Sequence, residues 1–112
     1  MLDEKGEYDA VVVGSGPNGF SAAIYLAQQG CRVCIIEGKP SVGGGMRTRE
    51  LTRPGFRHDI CSAAHPMAVL SPFMKRLPLA DFGLEWIEPP AAFTHPFDDE
   101  KSVVMWPDLE RT

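Results

Sequence analysis

The stretch Tyr8-Asp9-Ala10-Val11-Val12-Val13-Gly14-Ser15-Gly16-Pro17-Asn18-Gly19 changes character at Gly14, and that change decides the fold. Tyr8 to Val13 reads as a short strand: its β-branched run, bounded by a glycine, fits a strand buried on both faces of a parallel sheet. From Asn18 to Gln29 the period becomes helical. Phe20, Ala23, Ile24 and Ala27 fall at i, i+3, i+4 and i+7 and make one apolar face. Gly30 is placed to end that helix. Arg32 to Glu37 is a second apolar strand, so residues 8–37 predict one β-α-β unit with the right-handed crossover such units take. The fold class expected is α/β.

Gly14-Ser15-Gly16-Pro17-Asn18-Gly19 fits G-x-G-x-x-G, a pattern that gains specificity here because it follows a strand and opens a helix. Gly14 permits the tight turn, Gly16 lets backbone approach a pyrophosphate, and Gly19 lets the helix lie close on the strand. The helix N-terminus offers N–H groups and partial positive charge to phosphates. Glu37 lies eighteen residues past Gly19, near the spacing of a ribose-binding acid. A carboxylate there accepts ribose hydroxyls and repels a 2′-phosphate, which disfavours NADP. The residues themselves thus point to a Rossmann-like dinucleotide site.

After Glu37 the chain runs Gly38-Lys39-Pro40-Ser41-Val42-Gly43-Gly44-Gly45-Met46-Arg47-Thr48. This resembles the second glycine motif of the flavoprotein family that includes amine oxidases, phytoene desaturases and GDP-dissociation inhibitors, in which a Gly-Gly pair meets the FAD pyrophosphate. Within that family the likeness is to the phytoene desaturase-like oxidoreductases. It extends through Pro54-Gly55-Phe56-Arg57-His58-Asp59-Ile60, Ser62-Ala63-Ala64-His65-Pro66, Gly83-Leu84-Glu85-Trp86-Ile87 and Pro89-Pro90. The resemblance implies FAD as cofactor, held by Gly14, Ser15, Gly16, Pro17, Asn18, Gly19, Glu37, Gly38, Lys39, Gly43, Gly44, Gly45, Arg47 and Thr48. It implies hydride transfer from an apolar substrate to flavin. Two departures from the family pattern stand out. Gly45 and Met46 intervene before Arg47, where amine oxidases place arginine directly after the glycine pair. Cys61 stands where relatives often carry the glycine of Asp-x-Gly.

Further along, Arg47 to Leu51 and Phe56 to Ile60 read as short extended pieces on either side of Pro54-Gly55. Met67 to Leu77 has helical spacing interrupted by Pro72. Leu84 to Ile87, Ala92 to Thr94 and Ser102 to Trp106 read as strands, the last two joined by the acidic turn Asp98-Asp99-Glu100-Lys101. The organisation expected is an incomplete FAD-binding domain over 1–80 and the start of a β-rich substrate domain over 81–112. Phe73, Met74, Trp86, Phe93 and Trp106 are expected to pack as core.

The chain has 112 residues, room for one small domain where most flavoenzymes carry two, so an N-terminal fragment of a longer oxidoreductase is expected. Its sheet would then leave Val11, Val13, Val33 and Ile35 uncovered, with self-association a consequence. A hydrophobic fraction of 44% excludes disorder throughout. Eleven Lys and Arg are scattered among fifteen acids, giving a net charge of −4 with no basic block, which argues against nucleic acid. No signal or transit pattern opens the sequence and no run approaches a membrane span, so the cytoplasm is the compartment expected. Cys31, Cys34 and Cys61 read as reduced thiols. His58, Cys61 and His65 lack the spacing and fourth ligand of a metal site, and are expected to line the wall between cofactor and substrate. No residue stands out as catalytic. The alternatives are a non-enzymatic binder of the same fold, which intact Gly19 speaks against, an inactive truncated product, and an NAD-binding dehydrogenase domain, which Gly43-Gly44 disfavours.

Overall fold

A computed structural model describes residues 7–111, which divide into two compact units, 7–74 and 75–111. The first unit is built on β1 (Ala10–Val13), α1 (Pro17–Gln28) and β2 (Val33–Ile36). The two strands pair in parallel, Ala10 opposite Val33 and Val13 opposite Ile36, and α1 packs against both. This is the α/β, Rossmann-like arrangement read from the sequence.

Local chemistry sets the ends of each element. Pro17 occupies the first helical turn, where its missing N–H costs nothing. The helix stops at Gln28, and the Gly30 amide donates back to the Ala27 carbonyl at 2.9 Å. The strand pair is pinned at one end by the Arg32 amide donating to the Asp9 carboxylate at 2.7 Å. At the other end the Gly14 amide donates to the Ile36 carbonyl, also at 2.7 Å.

Ala23, the buried apolar residue of α1, faces the strands, with Phe20 and Ile24 partly covered beside it; Ala27 is exposed, so the apolar face fades in the last turn. The expectation that β1 is buried on both faces does not hold. Val11 and Val13 are 54% and 83% exposed, because α1 covers one face of the pair and no described element covers the other. Val33 and Ile35, by contrast, are partly buried.

Beyond β2, Gly44–Met46 forms a 3-10 turn, and β3 (Thr48–Glu50) pairs antiparallel with β4 (Arg57–Asp59). The helical spacing of 67–77 resolves into α2 (Pro66–Leu70) and a 3-10 turn at Met74–Arg76, divided at Pro72 as its missing N–H requires.

In the second unit β5 (Phe93–Pro96) and β6 (Ser102–Met105) form an antiparallel hairpin. The expected strand at Leu84–Ile87 is absent. Gly83 closes the preceding 3-10 turn in the left-handed conformation, the Leu84 amide is spent on the Leu79 carbonyl at 3.1 Å, and Pro89-Pro90 removes two ladder donors just downstream. Trp86 and Phe93 are not core either: they are 44% and 54% exposed, since one two-stranded hairpin offers little to bury them. Trp106 is partly covered, with the Arg111 guanidinium 4.0 Å from its ring centre.

Candidate dinucleotide-binding site

The Gly14–Gly19 turn joins β1 to α1, and Glu37 sits immediately past the end of β2, so the parallel pairing brings the two to one edge of the sheet. Gly19 lies where any Cβ would run into the Gly14 carbonyl, which explains glycine at that helix–strand contact. The helix starts at Gly16 with no side-chain cap, leaving its N-terminal end to backbone alone.

The second glycine loop meets the first. A Cβ on Gly44 would stand 2.8 Å from the Gly16 Cα, a separation that no side chain tolerates, and Gly44 itself has φ of +55°. The Gly43 amide donates to the Ser15 carbonyl at 3.0 Å, tying the loops together. Two chain segments of bare backbone thus run side by side at the mouth of a helix N-terminus.

Glu37 is partly exposed and heavily bonded. Its Oε2 accepts from the Ser15 amide at 3.0 Å and from the Ser15 hydroxyl, while Oε1 accepts from the Lys39 amide at 2.8 Å. Those bonds, the Ser15 hydroxyl first, lower its pKa to about 2, with the charge of Arg47 a minor contributor. The group is therefore a carboxylate throughout the physiological range.

The remaining residues assigned from sequence divide. Pro17 and Asn18 open α1; Gly38 and Lys39 follow Glu37, the latter through its amide; Gly45 continues the second loop. Arg47 folds back so that its Nε donates to the Gly44 carbonyl at 2.7 Å, which stiffens the loop and uses one of its donors. Thr48 is turned elsewhere: its hydroxyl donates to Asp59 at 2.6 Å across β3 and β4.

A cavity of about 510 Å³, within the range of ligand pockets, opens next to this edge. Pro17, Asn18, Gly45, Met46, Ser62 and His65 are among its lining. Of the three residues expected to wall a cofactor, His65 lines it and Cys61 lies beside Gly45, 3.7 Å from where a Cβ there would stand. His58 instead bonds Thr52 at 2.9 Å on the exposed hairpin. Met74, expected as core, lines the cavity instead, and Ser21 and Ser71, not singled out in sequence, line it too, because the packing of the 62–74 segment brings Ser71 and Met74 opposite Ser21 of α1. All three cysteines are free thiols. Among the described residues no group of His, Cys, Asp and Glu could hold a metal ion. No described helix is long and apolar enough to cross a membrane.

A parallel β-α-β unit with a glycine turn at its helix start and an acid ending its second strand defines a Rossmann-like nucleotide-binding domain. Residues 12–77 match the family described as NAD(P)-binding Rossmann-like domain, and the chain belongs to that family. It is 32% identical over 111 residues to a limonene dehydrogenase subunit of Castellaniella defragrans, covering 99% of this chain and 20% of that protein. It is also similar to soluble pyridine nucleotide transhydrogenases: 56% identical over 39 residues in Escherichia coli O1:K1 / APEC and 59% over 39 residues in Salmonella paratyphi B. Each of these covers 35% of this chain and 8% of the relative. The chain thus spans a fifth or less of the curated relatives it matches. No solved structure matches it.

Proposed function

We propose that this chain forms the adenosine- and pyrophosphate-binding part of an FAD site in an oxidoreductase similar to the phytoene desaturases, acting on a small apolar substrate. The observation that carries the reading is the backbone contact of Gly44 on Gly16 beside the ionised Glu37. A plain NAD site needs only the first loop; a second glycine loop laid against it gives a bridging pyrophosphate two backbones to approach.

Most of the fourteen residues assigned from sequence have distinct tasks under this reading. The Gly14–Gly19 turn and the start of α1 hold phosphate, Glu37 holds ribose hydroxyl, and Gly43–Gly45 with Arg47 close over the pyrophosphate. Thr48, bonded to Asp59, shapes the hairpin rather than the nucleotide. FAD bound there would supply the two-electron acceptor for the substrate's hydride. The relative named for limonene dehydrogenation fits oxidation of an apolar molecule. Residues 1–80 then belong to the FAD-binding domain and 81–112 begin a substrate domain, in a cytoplasmic protein.

The test is to purify the full-length protein and identify the nucleotide released on denaturation. Stoichiometric FAD is expected, with its yellow colour. Stoichiometric NAD, or no nucleotide after reconstitution with FAD, overturns the reading.

A further inference from the structure

Ser15 is fully buried, and its polar groups all turn to the site. Its amide and its hydroxyl both donate to Glu37 Oε2. The same hydroxyl oxygen accepts a long bond, 3.4 Å, from the Gly43 amide, whose shorter bond goes to the Ser15 carbonyl. An ionised carboxylate has about four acceptor positions, two on each oxygen. Ser15 occupies both on Oε2, and the Lys39 amide takes one on Oε1. One position is left.

A ribose diol brings two donors to that single position. We infer that Ser15 is a positioning and specificity-determining residue that leaves Glu37 able to hold only one of the two ribose hydroxyls, through Oε1. The inference rests on the reading of Glu37 as the ribose-binding acid and sharpens it. Ser15 also links that carboxylate to the second glycine loop through Gly43, so ribose and pyrophosphate sites share one buried side chain. A residue in the variable position after the first glycine of the motif thereby selects the mode of nucleotide binding.

The measurement is calorimetric titration of the full-length protein, stripped of nucleotide, with ADP, 2′-deoxy-ADP and 3′-deoxy-ADP. In the wild type one deoxy analogue should bind about tenfold more weakly than ADP, the loss of one charge-assisted hydrogen bond, and the other within about twofold. Ser15→Ala frees a position on Oε2, so both analogues should then lose affinity relative to ADP by factors within about threefold of each other. Ser15→Cys, which keeps the volume, serves if the alanine variant does not fold. Comparable losses for the two analogues in the wild type overturn the inference while leaving Glu37 as a ribose acid. A Ser15 variant that weakens all three nucleotides alike and keeps the wild-type ratio reduces Ser15 to packing and also overturns it. Equal wild-type affinity for all three nucleotides, or no ADP binding, overturns the ribose reading itself.

Discussion

The two parts of the chain, up to Met74 and from Lys75 on, hold similar numbers of acids, but ten of the eleven glycines lie in the first and only Gly83 in the second, and the acids are held in different ways. In the first, Gly16, Gly44, Ser15 and Glu37 come from segments 22 to 28 residues apart and still meet, through a contact that a side chain on Gly44 would forbid and bonds that a buried hydroxyl supplies. In the second, the bonds are local: Asp99 pairs with Lys101 two residues on, and the Phe97 amide donates to the Lys101 carbonyl to close the β5–β6 turn. An acid held by distant backbone is committed to one geometry. An acid held by its neighbour's flexible ammonium is not.

That contrast is broken most severely by adding bulk at the loop contact. Gly44→Val is strained by its left-handed backbone and collides with Gly16, and Gly16→Val fills the space the pyrophosphate needs. Either should lower FAD affinity on the order of a hundredfold or more, read from the flavin content of the purified full-length protein. Gly83→Ala, also at a positive φ but in open space in the second unit, should strain its own turn and leave flavin content unchanged. Equal retention by Gly44→Val and Gly83→Ala would erase the distinction between the two regions.

Charge gives the next effect. Glu37→Gln keeps shape but removes the acceptor charge and should weaken ADP binding about tenfold to a hundredfold in titration calorimetry. Asp99→Asn, its counterpart on the hairpin, should leave ADP binding unchanged. A Glu37→Gln variant with wild-type affinity would place the ribose elsewhere.

The pH dependence follows from the same bonds. The Glu37 pKa, near 4.5 in an unstructured chain, is about 2 here. A lowered acid pKa contributes stability that is complete above the unfolded value and is lost as pH falls through the folded one. Affinity for FAD, whose pyrophosphate diester does not titrate in this range, should therefore stay flat from pH 8 to about 5, and the Glu37 contribution to stability should decline only between about 4.5 and 2. An acid limb in binding near pH 6 would show that another group controls the ribose site.

How far the sequence could be read tracks the same division. The β-α-β unit was legible because a strand period, a glycine turn and a helix period follow one another without a break between Tyr8 and Glu37, and each is a local property. What escaped depended on partners. Ser15 stood within the motif, but nothing in a serine between two glycines says that it binds a carboxylate 22 residues away. Leu84–Ile87 had strand composition, yet composition does not supply a neighbour, and the preceding turn took the Leu84 amide. The exposure of Val13 was legible only by counting strands, since the run itself reads as buried on both sides.

The smallest effect belongs to the turn of the second unit. Glu100 is the non-glycine residue with positive φ, +66°, among the described residues. An L side chain in that conformation costs about 1 kcal/mol relative to glycine, whereas glycine loses more conformational entropy on folding, so the two terms partly cancel. Glu100→Gly should stabilise the β5–β6 hairpin by about 0.5 kcal/mol, within the range these two terms allow. Slower amide exchange at Phe97, whose N–H closes the turn onto Lys101, is the readout, because it reports local opening of this hairpin. ADP affinity should not move at all, as the bonds that hold this turn, Lys101 amide to Asp99 and Phe97 amide to Lys101, are local. Faster exchange at Phe97 would mean that the Glu100 side chain holds the turn despite its backbone strain. A change in ADP affinity would mean that the second unit is coupled to the site, and the contrast between a committed region and a local one would have to be given up.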